Sequence, residues 1–519
     1  MKRYLYVWHR WLGIALCLFM ALWFVSGVVM LYVGYPKLTP AEHLAGLPPL
    51  SAKNCCVSLE TALAASGESA PPQSAKLTSV ANEPRYLLGF PGKAQVAVDA
   101  RTGQIIAPID RNTALAAAQA FSGGAQVSYL GLVYEDMWSH SRALGAERPF
   151  HVIQVEDPQQ RRLYVSQHNG RVLLDVTAQE RAWNWLGAWL HWLYPLRGGV
   201  FDSWAADIVI YLSLAGTVLA ILGLVVGLLR WRFAKPYRSG SRSPYPSGVA
   251  RWHHIGGLLF GTLLITWIFS GLMSMRPWHL LDSQSVLQPD AYYGAELHAD
   301  GSELPIAEAI KRFDLAAIQA REVEWRFIGG RNYLVAYDGV GNSRIMPSDG
   351  GTGPQAQLPS ITLERAAQAM LPGAKVEFEW LTAYDFYYFA RAEQSMYGNK
   401  NKRLPMLRVR FNDRAGTWVH IDPYSGALIE QLDQRGRVGR WLFNLLHSWD
   451  WLPLLERPLL REVLIIAFSL GGFIISVTGI VLGWRRLLRT RSRHRKSPTV
   501  TCNRSIPDKE KNDRYPGVQ

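Results

Sequence analysis

The sequence predicts a membrane protein of α plus α+β class: four transmembrane helices in a pseudo-twofold duplicated bundle, with α+β extracytoplasmic lobes. Three observations predict it. Four runs, Leu12 to Val33, Ile208 to Leu229, Ile255 to Met275 and Val463 to Trp484, are apolar and nearly free of charge. Basic residues crowd beside particular ends of those runs. The second half of the chain also repeats the first in outline.

Each run reaches the ~20 residues needed to cross a bilayer core as a helix. In lipid the backbone must satisfy its own hydrogen bonds, so such runs read as helices. The first run is too long for a cleaved signal peptide, and a relative of its leading edge, RWHHIGG, recurs at 251–257, where cleavage is not an option. The net charge of +14 has a local origin. Sixteen of the 55 basic residues lie within 1–11, 230–251 and 485–496, leaving 39 against 41 acidic residues elsewhere. That pattern follows the positive-inside rule rather than a nucleic-acid surface. It places both termini of a multi-pass membrane protein in the cytoplasm and 34–207 and 276–462 outside it, in a periplasm if the cell has one.

The chain accordingly divides into a first helix at 1–35, an extracytoplasmic region at 36–180, and an interfacial segment with the second helix at 181–232. A cytoplasmic loop comes next at 233–252, then the third helix at 253–276 and a second extracytoplasmic region at 277–436. An interfacial segment with the fourth helix at 437–486 and a basic, disordered tail at 487–519 complete it. Four cysteines are too few for a disulfide scaffold. Cys17 lies in a helix and Cys502 in the tail. The adjacent Cys55 and Cys56 are poorly placed for a disulfide with each other, because the vicinal geometry is strained.

A shift of 244 residues brings Trp8 onto Trp252, His9 onto His253, Gly13 onto Gly257, Trp23 onto Trp267, Ser26 onto Ser270 and Gly27 onto Gly271. A shift of 256 brings Trp185 onto Trp441, His191 onto His447, Ser213 onto Ser469, Gly216 onto Gly472, Gly223 onto Gly479 and Gly227 onto Gly483. Repeats of this kind frame sites at the interface between halves. Between the runs, QVAVDARTGQIIAP, RRLYVSQHNGRVLLDV and WVHIDPYSGALIEQL share alternation, a glycine turn and renewed alternation, a hairpin signal. LPSITLERAAQAML and TALAAAQAF carry helical periodicity. Small α+β units, two in each half, are expected.

His9 and Gly13 are four apart and share a helical face, as do His253 and Gly257. A glycine one turn below an imidazole leaves a notch in which a porphyrin could lie. His9 and His253 sit at the cytoplasmic edge; His191 and His447 sit at the outer edge. If each pair meets across the pseudo-twofold axis, each supplies two imidazoles to one iron, a bis-His haem b site. Copper or zinc also accepts imidazole, yet no thiolate or carboxylate accompanies these histidines to complete such a site. Two bland readings stand beside this one. Small residues in membrane helices usually serve packing, and repeat equivalence follows from duplication alone. His254 competes with His253 but lies about 100° around the helix. Arg10, Arg251 and Arg440 are candidate partners for haem propionates. His140 and His151 are weaker candidates for a substrate pocket or metal contact, and His420 sits in a strand pattern and reads as structural.

The motifs WHRWLG at 8–13, the Ser26–Gly27 pair, VDARTGQI at 98–105, IDPYSGAL at 421–428, LLHSWDWLPL at 445–454 and GIVLGWRR at 479–486 resemble the PepSY-associated transmembrane proteins, an iron-regulated membrane family. The resemblance covers the chain except its tail. It implies PepSY-type lobes outside four spans, and an activity like that of the family's ferrisiderophore reductases, the pyoverdine-type among them. On that resemblance His9, His253, His191 and His447 hold two haems, which pass electrons to a ferric siderophore and release Fe(II) to periplasmic iron-uptake partners. No nucleotide-binding fingerprint or flavin domain is present, so electrons would come from a separate reductase, a small cytosolic donor or membrane quinol. The other readings are a non-enzymatic PepSY module that binds a peptide or periplasmic partner, and a siderophore or metal transporter component. Against transport, the spans carry almost no charge.

Overall fold

The computed structural model describes residues 2–53, 55–197, 200–294, 303–393, 395, 398 and 401–495. His298, Cys502 and the tail beyond residue 495 lie outside the described residues.

Four helices are long and apolar enough to cross a membrane: α1 (Lys2–Tyr32), α2 (Ala205–Arg230), α3 (Val249–Ser274) and α4 (Pro458–Arg495). They outrun the apolar stretches because hydropathy marks only the lipid-facing length, whereas backbone hydrogen bonding continues into the interface. His9 and His253, expected at a helix lip, therefore lie inside α1 and α3. The helices form a ring in which α1 and α3 each pack on both α2 and α4, so that α1 faces α3 diagonally. Met20, Phe24, Trp267, Ile268 and Ile465 fill the interior. Leu18, Leu259 and Leu470 point outward and are more than half exposed, as lipid-facing side chains are. Gly216 and Gly472 make the close approach possible. A Cβ at Gly216 would collide with Met20 Cε, and one at Gly472 would lie 2.5 Å from the Phe24 ring, so these glycines serve packing.

Outside the bundle, fourteen strands form three antiparallel sheets among the described residues. In chain order the first region holds β1 (Ser74–Val80), β2 (Glu83–Gly89), β3 (Val96–Asp99), β4 (Val127–Val133), β5 (Phe150–Val155), β6 (Arg162–Ser166) and β7 (Val172–Val176). The second holds β8 (Glu322–Ile328), β9 (Arg331–Tyr337), β10 (Ser343–Pro347), β11 (Val376–Leu381), β12 (Met406–Phe411), β13 (Trp418–Ile421) and β14 (Leu428–Leu432). Strands β4 to β7 make one four-stranded sheet and β11 to β14 another. The remaining six share one sheet in the order β10-β9-β8-β1-β2-β3. Its central seam pairs β1 with β8, Leu77 opposite Val323, so the two regions are stitched rather than independent. The hairpins at 161–176 and 418–432 form as read from their turns. That at 95–108 closes only through a Val98–Ile105 bridge.

One helix covers each four-stranded sheet and two cover the composite sheet, where Leu59 and Ala62 of the helix Leu59–Ser66 join the second, Ile306–Leu315. Ala114, Ala117, Ala118 and Phe121 lie over β5 and β6; Leu363, Ala366, Ala367 and Met370 lie over β12 and β13; Ile306, Ala309, Ile310 and Phe313 cover the composite sheet. The i, i+3, i+4, i+7 spacing puts each set on one face. Cys55 and Cys56, read as poorly placed for a mutual disulfide, are bonded to each other. Both pack against the same apolar core beside Val57.

Candidate functional site: two histidine couples in the bundle

The four candidate histidines meet as two couples. His9 from α1 and His253 from α3 have ring centres 6.3 Å apart. His191 and His447 have ring centres 6.2 Å apart. A metal held between two imidazole nitrogens at about 2 Å each puts the ring centres about 6.2 Å apart. No hydrogen bond joins the rings of either couple among the described residues. The level of His191, which packs on Gly27, is 18 residues along α1 from His9, about 27 Å of helix. The couples thus lie near opposite ends of the bundle.

The outer histidines do not belong to the spans themselves. Each comes after a π-helical turn, Trp185–Trp189 before His191 and Trp441–Leu445 before His447. Each precedes a left-handed residue, Leu193 at φ 52° and Trp449 at φ 54°. A π turn inserts one residue into the helical ladder and rotates the residues beyond it, which is why such turns gather at sites. Both features recur 256 residues apart, and together they swing the imidazoles inward over α1 and α3.

Glycines of neighbouring elements set the ring positions. A Cβ at Gly223 would lie 2.9 Å from His9 Cε1, at Gly479 3.4 Å from His253 Cε1, at Gly27 3.7 Å from His191 Cε1 and at Gly271 3.3 Å from His447 Cε1. The notch expected beneath each of these two imidazoles is not filled by protein: a Cβ at Gly13 would have only ordinary contacts, 3.8 Å to Cys17 Sγ and 3.9 Å to Leu219 Cδ1, and one at Gly257 would meet nothing within 4 Å. The close glycine contacts of the His9 and His253 rings come from helices 214 and 226 residues away.

Hydrogen bonds fix the tautomer. His253 Nδ1 donates to Ile475 O at 3.1 Å, and His447 Nδ1 donates to Trp267 O at 3.1 Å. A carbonyl only accepts, so the proton sits on Nδ1 and the Nε2 lone pair is left for a ligand. His191 Nδ1 meets Ser26 Oγ at 2.9 Å. That hydroxyl already donates to Trp23 O at 3.1 Å, so it accepts from His191. Ser270 stands in the same relation to His447 and Trp267 O. Trp23 Nε1 also donates to His191 O at 3.1 Å. His9 Nδ1 lies beside the Leu219 carbonyl without completing a hydrogen bond. Orientation of a ligating imidazole through its other nitrogen is the usual device at metal centres.

His254 is settled by the same accounting. Its Nε2 donates to Gly227 O at 3.0 Å and its Nδ1 accepts from Ser243 Oγ at 2.8 Å. Neither nitrogen is available, and His253 is the residue facing His9. Elsewhere, His151 is buried with both nitrogens engaged by Tyr129 and Ile109 O, so its expected site role gives way to a structural one. His140 pairs with Glu135, and His420 is buried against Arg408 and Glu430, as its strand position implies. Arg251 donates to Pro246 O and Arg440 to Phe386 O.

Among the described residues no group of three or more His, Cys, Asp or Glu side chains is placed to hold a metal ion. Among the described residues each couple offers two imidazole nitrogens and no further ligating side chain, so it would suit a metal that brings its remaining ligands with it, as a porphyrin iron does. Sequence reasoning missed the π turns, the hydrogen-bonding roles of Ser26 and Ser270, and Thr478, whose Oγ1 lies 3.1 Å from His253 Nδ1. The repeated Ser–Gly pair was the available signal for the two serines.

Residues 6–329 match the family model described as PepSY-associated TM region. No curated protein matches the chain.

Proposed function

The chain belongs to the family of PepSY-associated TM regions, and on that premise we propose that it is an inner-membrane haem reductase. It passes electrons across the bilayer to a ferric siderophore outside and releases Fe(II) for uptake. The observation that carries this reading is the pair of diagonal imidazole couples at metal-sharing separation, one toward each end of the bundle. Two bis-His haems b would occupy them, supplying reversible one-electron chemistry.

The chain's own residues do the rest. Backbone carbonyls and Ser26 and Ser270 orient the ligands. The apolar layer of Met20, Phe24, Trp267 and Ile268 between the couples excludes water and ions. In net terms one electron enters from a cytosolic reductase or quinol and one reaches the ferric chelate, turning Fe(III) into Fe(II). Hard oxygen ligands hold Fe(II) less tightly, so the ion leaves for an uptake partner. The matching contacts at shifts of 244 and 256 support an origin by duplication, with PepSY-type lobes covering the outer couple and both termini in the cytoplasm.

The test is the visible spectrum and haem content of the full chain purified in detergent with ample haem supply. Two haems per chain and a b-type Soret band that responds to dithionite are expected. His191→Ala or His447→Ala removes one haem, and His9→Ala or His253→Ala removes the other. A colourless protein overturns the proposal in favour of a partner-binding membrane module, and retention of both haems in all four variants overturns the ligand assignment.

A further inference from the structure

The two halves of the bundle differ in a way that duplication does not explain. Between the levels of the two couples the second half lines up aromatic rings where the first half has leucines. Ring centre to ring centre, Phe260 of α3 lies 6.4 Å from Phe468 of α4, Phe468 lies 5.1 Å from Trp449, and Trp449 lies 6.2 Å from Trp267. At shifts of 244 and 256 the equivalents of Phe260, Phe468 and Trp449 are Leu16, Leu212 and Leu193. The space is adjusted to match. A Cβ at Gly471 would come within 2.7 Å of the Phe260 ring, and the equivalent of Gly471 is Ala215. Phe24, whose equivalent is Ile268, packs on the same Trp267 at 6.0 Å and adds to this line of rings.

The rings climb from one couple to the other. Phe260 is seven residues beyond His253, on the same face of α3 and about 10 Å along it. Phe468 is 11 residues before Gly479, the glycine beside His253, and so about 16 Å along α4 from that level. Trp267 is 14 residues beyond His253, about 21 Å along α3. Its carbonyl accepts from His447 Nδ1, and Trp449 follows His447 by two residues. Every step lies within the roughly 4.5–7 Å over which aromatic rings meet. Trp449 and Phe468 pack against the interior of Met20, Phe24 and Trp267. The line therefore starts on the helix face that carries one inner imidazole and ends on the hydrogen-bonded neighbour of one outer imidazole.

An electron crosses an apolar interior by tunnelling. The rate falls exponentially with the gap, and less steeply where π orbitals fill it than where saturated chains do. We propose that Phe260, Phe468, Trp449 and Trp267 form the electron path between the two levels, so that transfer runs through the second half of the bundle. This rests on the two-haem reading above. In the step itself one electron leaves the inner level and one arrives at the outer level. The rings stay closed-shell throughout, no bond is made or broken and no proton moves. The reductant is the cytosolic or quinol donor, and the oxidant is the ferric chelate. The rings act as the medium between centres, one of the parts a protein plays in redox chemistry. Packing alone does not call for them, since leucines fill the equivalent positions of the first half.

The experiment is transient absorbance of the full chain in detergent after flash reduction of the inner level. The flash excites a ruthenium tris-bipyridine label on Ser239→Cys, in the exposed loop that Ser243 ties to His254, with Cys502→Ser removing the competing thiol. The difference spectrum between the native chain and His447→Ala marks the outer level. Arrival of the electron there slows at least several-fold in Phe260→Leu, Phe468→Leu and Trp449→Leu. Each introduces the residue that the first half carries at the equivalent place, and Leu193 shows that the left-handed position of Trp449 accepts leucine. Haem content and both midpoint potentials stay as in the native chain. Tyr211→Leu, which removes a ring 58% exposed on the outside of α2, leaves the rate unchanged. Should one ring variant lose haem, the other two carry the test. Native rates in the ring variants with both haems bound, slowing that comes with shifted potentials, or equal slowing in Tyr211→Leu overturns this proposal alone; absence of haem from the native chain overturns the reading beneath it as well.

Discussion

A neutral imidazole offers one lone pair, and the group bonded to its other nitrogen decides where that lone pair points. Ser26 is the one hydrogen-bond acceptor for His191 Nδ1 among the described residues, whereas His447 keeps the Trp267 carbonyl as well as Ser270. Ser26→Ala is therefore expected to weaken haem retention at the outer level by about 10-fold or more, read as Soret absorbance at limiting haem, with Ser270→Ala milder. His254→Ala is expected to retain both haems, since both of its nitrogens serve the loop and the end of α2. His253→Ala then loses one. The choice between these neighbours was not legible in the sequence. Adjacent histidines differ only in which helix they face, and that depends on where Gly227 and Ile475 arrive.

Among the helices, the glycines divide by what they touch. Gly216 and Gly472 meet Met20 and Phe24, while Gly223 and Gly479 meet the inner imidazoles. Gly223→Ala would set a methyl group 2.9 Å from His9 Cε1, closer than side-chain carbons pack, and the His9 ring must move. The expected outcome is loss of the inner haem with the outer one intact. Gly257→Ala meets no protein atom within 4 Å, so loss of the inner haem in that variant would mark a haem lying in the notch read from i, i+4 spacing, and retention would leave the cross-helix contact as the one that matters. Haem stoichiometry of the two variants is the measurement. Repetition of Gly223 and Gly479 was visible in the chain, but their partners were not. Nor were the π turns, because the helical segments that hold them are short and rich in tryptophan, so a shift of phase in the hydrophobic pattern cannot be read there.

Across the whole molecule, the two outer regions depend on the β1–β8 seam. Glu322 is buried there between Lys76 at 2.9 Å and His43 at 3.0 Å. Burial pushes its pKa up, but Lys76 and His43 outweigh that and hold it below its ordinary value of 4.5. A carboxylate depressed in the folded state stabilises the fold fully above its unfolded value, and that stability is lost as pH falls through the folded value. The seam should therefore weaken below about pH 4.5 and hold at neutral pH. Glu322→Gln leaves Lys76 without its partner. It is expected to cost about 3 kcal/mol at pH 7, measured by urea unfolding followed through Trp325, which is buried in β8. The same variant should show a flatter acid limb than the native chain.

The amino-acid sequence determined the four spans, the crowding of basic residues beside their ends, the amphipathic helices over two of the three sheets and the identity of four histidines at repeating positions. All of these follow from local hydropathy, charge and spacing, which act over a turn or two of chain. The tertiary structure decided that the histidines form two couples, that their glycines and acceptors come from other helices, that β1 pairs with β8, and that Phe260, Phe468 and Trp449 line up between the couples. Each of these joins groups tens to hundreds of residues apart. Such contacts form only when helices and sheets have packed, since it is the packing of whole faces, and no local preference, that selects which distant residue completes each hydrogen bond or fills each gap.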